Sequence, residues 1–125
     1  MSKKMLRSMM QVFVKNSNQA LDFYQQAFDA KLQCNHLDAS GMVAHAELNV
    51  FGQVLAIMEA PEEPVIGNTM MFCLHFGEGH EKRVTKIYDA LKEGAQILSP
   101  LGPCDYSPLH ADFIDKYGVR WCIFV

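Results

Sequence analysis

The sequence predicts an α+β fold built from two βαβββ modules, and three observations carry that prediction. The first is an internal repeat: Phe23-Tyr24, Ala27 and Ala30 return as Ile87-Tyr88, Leu91 and Gly94, at a helix offset of 64 residues (88 minus 24, 91 minus 27). The second is context, because each copy follows one strand-like run and precedes three more. The third is size. A unit half the length of a 125-residue chain cannot bury its apolar face alone, so the two copies are expected to share a core. Two curled sheets side by side create a concave surface, and concave surfaces bind small molecules.

The first module opens at residues 9–14, where Met10, Val12 and Val14 alternate with Met9, Gln11 and Phe13. Alternation sends these sets to opposite faces, the first toward a helix. Asn16 with Gln19 three residues on reads as a capping box, and Ala20, Leu21, Phe23, Tyr24, Ala27 and Phe28 supply the helix's apolar stripe. Residues 31–36 read as a short strand. Gly41 precedes a strand over 42–50, and Gly52 lies in a tight turn before a strand over 54–59. Pro61, Pro64 and Gly67 mark residues 60–68 as a linker.

The second module begins with a strand over 70–76, in which Phe72, Leu74 and Phe76 form the helix-facing row and Met71, Cys73 and His75 the opposite one. Val84, Ile87, Tyr88 and Leu91 give the second helix its buried face. A strand over 95–99 is followed by a loop carrying Pro100, Gly102, Pro103, Cys104 and Pro108, which reads as a candidate lid. Cys104 with His110 on the next strand is a conceivable nucleophilic pair that lacks a third orienting group. Strands over 109–114 and 119–125 flank a turn in which Asp115 is expected to satisfy backbone amides. In the last strand Trp121, Ile123 and Val125 form the bulky row, leaving Arg120, Cys122 and Phe124 opposite.

Composition bounds the function. The chain is expected to be a single domain, 1–125, with module one at about 8–60 and module two at about 69–125. Half the residues are hydrophobic, a fifth are charged and the net charge is −3, which gives no electrostatic footprint for nucleic acid or an anionic membrane. No apolar run approaches the ~20 residues of a membrane span. The short run at 9–14 is interrupted by Gln11 and leads to no cleavage site, so a secretory signal is not expected and the cytoplasm is the expected compartment. Cys34, Cys73, Cys104 and Cys122 have no C-x-x-C spacing, which points to reduced thiols rather than a zinc ribbon.

The hairpin around Gly52 sets the candidate site. A three-residue turn (Phe51, Gly52, Gln53) pairs residues whose numbers sum to 104, placing His45 opposite Glu59 with Cβ atoms ~5 Å apart, and Glu47 opposite Ile57. A two-residue turn shifts the register by one and separates His45 from Glu59. With three turn residues the expected pocket comprises Gln11, Phe13, His45, Glu47, Ile57, Glu59, Met71, Cys73, His75 and Cys122. Such a set suits a hydrogen-bonding pocket for an organic ligand or a divalent metal, and it also suits a solvent-facing sheet surface. His36 and His80 read as surface histidines.

Residues 18–28, Asn-Gln-Ala-Leu-Asp-Phe-Tyr-Gln-Gln-Ala-Phe, resemble the first-helix signature of the glyoxalase/bleomycin-resistance (vicinal oxygen chelate) superfamily. His45-Ala-Glu-Leu48 and Tyr106-Ser-Pro, followed by Asp115-Lys-Tyr-Gly-Val-Arg-Trp121, resemble its PhnB-like branch, also labelled demethylubiquinone methyltransferase-like. The resemblance implies a concave, mostly antiparallel eight-stranded sheet with helices on the outer face, and commonly a homodimer. It carries the superfamily's metal-ligand positions onto Met9 (or Gln11), Glu59, Met71 and Cys122, of which only Glu59 is an ordinary hard ligand. The usual metal site is therefore not expected, although a divalent metal elsewhere stays open. The expected function is binding of a small molecule without a cofactor, in a homodimer. The alternative is a metal-dependent lyase, isomerase or dioxygenase-type enzyme using Glu59 with His45.

Overall fold

A computed structural model describes residues 3–125 of the chain. The chain divides into two compact units, one ending at Glu63 and one running from Pro64 to Val125. The first contains β1 (Met10–Val14), α1 (Ser17–Phe28), β2 (Lys31–Leu37), β3 (Val43–Val50) and β4 (Gln53–Glu59). The second contains β5 (Phe72–His75), α2 (Glu81–Leu91), β6 (Gln96–Cys104), β7 (Ser107–Ile114) and β8 (Arg120–Phe124). The eight strands form two four-stranded sheets of the same topology, β1-β4-β3-β2 and β5-β8-β7-β6. In each, the first strand pairs in parallel with the last and the other pairs are antiparallel. The α+β fold of two βαβββ modules is thereby established. Among the described residues no helix is long and apolar enough to cross a membrane.

The helix-facing rows are those alternation gives. Met10, Val12 and Val14 are buried while Gln11 and Phe13 are exposed, and Ala20, Leu21, Tyr24, Ala27 and Phe28 of α1 cover them together with Leu48, Leu55 and Ile57. In the second module Phe72 pairs with Trp121 and Leu74 with Ile123, opposite Val84, Ile87 and Leu91 of α2. Asp115 fixes the turn before β8. Its Oδ1 accepts from the amides of Tyr117 and Val119 at 2.8 and 3.1 Å, and its Oδ2 accepts from the Trp121 indole at 2.9 Å.

Three local readings are corrected. Asn16 adopts a left-handed conformation (φ 57°) and makes no side-chain cap, so the Asn16/Gln19 capping box does not form. The strand expected over 95–99 is present, but the proline-rich segment after it, expected as a lid loop, continues it as β6, an edge strand with register shifts. A missing N–H costs nothing on the unpaired side of an edge, so Pro100 and Pro103 are accommodated there. The β3–β4 turn contains two residues, not three. Val50 pairs with Gln53, Asn49 with Val54 and Glu47 with Ala56, so paired numbers sum to 103.

Phe51 and Gly52 both have positive φ (52° and 92°), the requirement of a type I′ turn whose twist matches the flanking strands. A phenylalanine in that conformation is strained by the approach of its Cβ to the carbonyl oxygen. Replacing Phe51 with Asn, which tolerates positive φ, is expected to stabilise the fold by ~0.5–1 kcal/mol in a urea melt. Gly52→Ala, with open space around the added Cβ, should cost about 1 kcal/mol from backbone conformation alone. A destabilised Phe51→Asn variant would contradict the two-residue turn.

Candidate functional site

The register moves the polar centre of module one from Glu59 to Glu47. With pairs summing to 103, Glu59 belongs to the row of Leu55 and Ile57 on the helix side, and the register continued one step sets His45 opposite Met58. The His45–Glu59 pair expected above is not formed. Glu59 Oε1 instead accepts the Ser17 backbone N–H at 2.9 Å, capping α1, while Ser17 Oγ accepts the Val43 N–H at 3.0 Å. Ile57, expected in the pocket, is wholly buried in the core.

On the face turned away from α1, Gln11, Ala56, Glu47 and Cys34 form a row across four strands. Glu47 is buried, and the Arg7 guanidinium grips it bidentately, Nη1 to Oε1 at 2.8 Å and Nη2 to Oε2 at 3.0 Å. His45 Nε2 lies 2.7 Å from Oε2. The Arg7 hydrogen bonds, then that of His45, hold the Glu47 carboxyl down at about 2 against the opposing effect of burial. A carboxylate so stabilised is ionised and accepts only, so His45 Nε2 carries the shared proton. Glu47 is accordingly too weak a base to move protons near neutral pH; its role is to orient His45. Arg7, from the segment ahead of β1, is the partner that builds this centre, and no sequence pattern singles it out.

Module two repeats the arrangement with different chemistry. Cys73, Cys122 and Asp112 form one row, and His75, Phe124 and His110 the next. Arg120 holds Asp112 bidentately, Nε to Oδ1 at 3.0 Å and Nη2 to Oδ2 at 2.8 Å, and also donates to the Asn68 carbonyl. His75 stacks on Phe124 at 4.3 Å and 11°. Tyr106, in the two-residue turn between Cys104 and Ser107, stands edge-on to Phe124 and His110 at 5.2 and 5.6 Å. Its hydroxyl lies 3.9 Å from Cys122 Sγ. Burial pushes the Cys122 thiol up to about 11, and the contact with Cys122 pushes the Tyr106 phenol up to about 12. Both groups are protonated at neutral pH. His110 is 8 % exposed, and its Nδ1 is buried with no hydrogen-bond partner among the described residues.

One sequence signal marks both centres: His45-Ala46-Glu47 and His110-Ala111-Asp112 stand 65 residues apart (110 minus 45), on equivalent strands. The spacing of two places imidazole and carboxylate on one face of each strand. Tyr106, His110, Asp112 and Arg120 lie outside the expected pocket, and this doubled tripeptide is what points to them.

The ligand positions carried over from the superfamily do not fit a metal. Glu59 faces the helix and is engaged by Ser17, Met71 precedes β5, and Gln11 and the protonated Cys122 thiol are poor donors for a hard divalent ion. A different group does bring donors together: one ligand atom each from Cys34, His45 and Glu47, all within 4.8 Å of one another.

Two outcomes follow from these placements. Glu59→Ala should cost ~0.5–2 kcal/mol through loss of the α1 cap, with Glu59→Gln recovering most of it because the amide oxygen still accepts. In the folded protein at pH 8, iodoacetamide should label exposed Cys73 well before Cys122, whose thiolate is suppressed at that pH. Equal labelling rates, read by mass spectrometry, would contradict the burial and pairing of Cys122.

Known proteins share this architecture. The PhnB protein from Bacillus cereus is 21% identical, with a TM-score of 0.81 over 94% of this chain and 98% of that one. Protein PA1353 from Pseudomonas aeruginosa is 21% identical, with a TM-score of 0.78 over 96% and 97%. The fosfomycin resistance protein FosX from Listeria monocytogenes is 16% identical, with a TM-score of 0.72 over 99% and 94%. At these identities the likeness is one of fold. No curated protein matches the chain. Residues 7–123 match the sequence pattern of the Glyoxalase/Bleomycin resistance protein/Dioxygenase superfamily, and the chain belongs to that superfamily.

Proposed function

We propose that the protein binds a small organic molecule on the face of the second sheet turned away from α2, without the superfamily's usual metal. The observation that carries this reading is His110. A buried ring nitrogen without a partner costs ~1–3 kcal/mol, which a ligand hydrogen bond would recover. Around it, Tyr106, Phe124 and His75 offer flat apolar surfaces, and the Arg120–Asp112 pair supplies a polar edge. Aromatic walls with few oriented polar groups suit a planar, heteroaromatic ligand. Binding of small organic molecules also has precedent in the fold, since a FosX variant is known in complex with Mn(II) and a dihydroxypropylphosphonic acid. Enzymatic use of Glu59 with His45 is not supported, because the two side chains lie on opposite faces of their sheet.

Titration with indole and quinoline, followed by NMR of backbone amides and aromatic rings, tests the proposal. Shifts should centre on Tyr106, His110 and Phe124, and His110→Ala should weaken binding about tenfold, equivalent to ~1.4 kcal/mol. Shifts centred elsewhere, or an unchanged affinity in the variant, would contradict it.

A homodimer forms part of the same proposal. Met5, Leu6, Phe13, Met70 and Met71 are exposed, and a twofold partner is the commonest way to cover such apolar surface. Light scattering at micromolar concentration should return about twice the 14.1 kDa chain mass. A stable monomer would defeat this part.

A further inference from the structure

Two neighbouring strands of the first sheet carry four metal-type donors on one face. β2 contributes Cys34 and His36, β3 contributes His45 and Glu47, and the register sets Cys34 opposite Glu47 and His36 opposite His45. The pattern is Cys-x-His facing His-x-Glu across an antiparallel ladder, where opposed Cβ atoms lie ~4.5–5.5 Å apart. Three of the four already converge, with ligand atoms of Cys34, His45 and Glu47 within 4.8 Å of one another.

We propose that this grid is a zinc site, with Cys34, His45 and Glu47 as ligands and His36 completing the tetrahedron. The donor set argues for the metal. Thiolate and imidazole together favour zinc over magnesium, calcium or manganese, which prefer all-oxygen sites. Size agrees as well. Zn–S and Zn–N/O bonds of ~2.3 and ~2.0–2.2 Å place tetrahedral ligand atoms ~3.3–3.7 Å apart, close to the 4.8 Å within which the three donors already lie. The exposed ring of His36 is free to swing toward the opposed His45.

Two contacts compete with the metal: the His45 Nε2–Glu47 Oε2 hydrogen bond, which zinc would replace, and Arg7. Arg7 occupies both oxygens of Glu47, but it is half-exposed and lies ahead of β1, outside the sheet. Zinc needs only one carboxylate oxygen, and Arg7 retained on the other becomes an outer-shell partner that orients the ligand. The site lies on β2 and β3 and uses none of Gln11, Glu59, Met71 and Cys122 as a ligand.

Cobalt(II) added to the full-length, chelator-treated protein tests this directly. The expected result is saturation at one equivalent, with visible absorption of a tetrahedral ion, a near-ultraviolet thiolate-to-cobalt band, and full displacement by zinc. Cys34→Ser should abolish the thiolate band and weaken zinc binding at least tenfold, with its circular dichroism unchanged because Cys34 lies on an edge strand. His36→Ala should keep the band and weaken binding, and Cys122→Ser should change neither. A band that survives Cys34→Ser, a band lost in Cys122→Ser, or no stoichiometric cobalt or zinc binding in the wild-type chain would each overturn the proposal.

Discussion

The two-residue turn at Phe51–Gly52 determines what the first module presents on each face. Sheet side chains alternate, so a single added turn residue would exchange the buried and open rows of β4 relative to β3. With the turn as it is, Leu48, Leu55 and Ile57 share the helix side, Glu59 reaches the start of α1, and Glu47 with His45 faces away. Burial enforces the same choice. The other register would place the carboxylate of Glu59 away from the α1 amide it satisfies and bring Ala56 into the row that Ile57 now fills. The strained φ of Phe51 is tolerated because the register it permits buries two large aliphatic side chains, each worth ~1.5–3 kcal/mol.

Each module then places an acid at the same point of its third strand and holds it with an arginine. Glu47 takes Arg7 from the segment before β1, whereas Asp112 takes Arg120 from the neighbouring strand β8. The histidine two residues earlier differs in consequence. His45 is oriented by its own carboxylate and has Cys34 and His36 across the ladder, a donor-rich setting. His110 lies among Tyr106, Phe124 and His75, an aromatic setting with one ring nitrogen unpaired. One duplicated tripeptide thus stands in two different settings, and the two proposals above, metal coordination in the first module and organic-ligand binding in the second, rest on that difference.

Much of the fold was legible because alternation and helical periodicity are dense signals. Met10, Val12 and Val14 declared the buried face of β1, and Val84, Ile87 and Leu91 that of α2. The site was less legible because it depends on the length of one turn. Three turn residues would gather Ala44, Ala46, Leu48, Val54, Ala56 and Met58 on the helix side, so the sequence around Gly52 pointed to that register and to His45–Glu59, although the row of Leu55 and Ile57 is as apolar. Asp115 was read correctly because its turn is local. Arg7 and Glu47 were not paired in the sequence reading, since 40 residues separate them and no periodic pattern links a terminal segment to a strand. Pro100 and Pro103 concealed the second half of β6, since proline argues against a strand unless the strand lies at an edge, and edge position is a property of the assembled sheet.

The account turns on Glu47 being the clamped, ionised carboxylate of module one. The most direct measurement is an NMR titration of its side-chain carboxyl carbon in the folded protein, assigned with a Glu47→Gln variant. If Arg7 and His45 grip it as described, Glu47 titrates at about 2, far below its ordinary 4.5. A midpoint near 4.5 would mean that the clamp is not formed and would contradict the account.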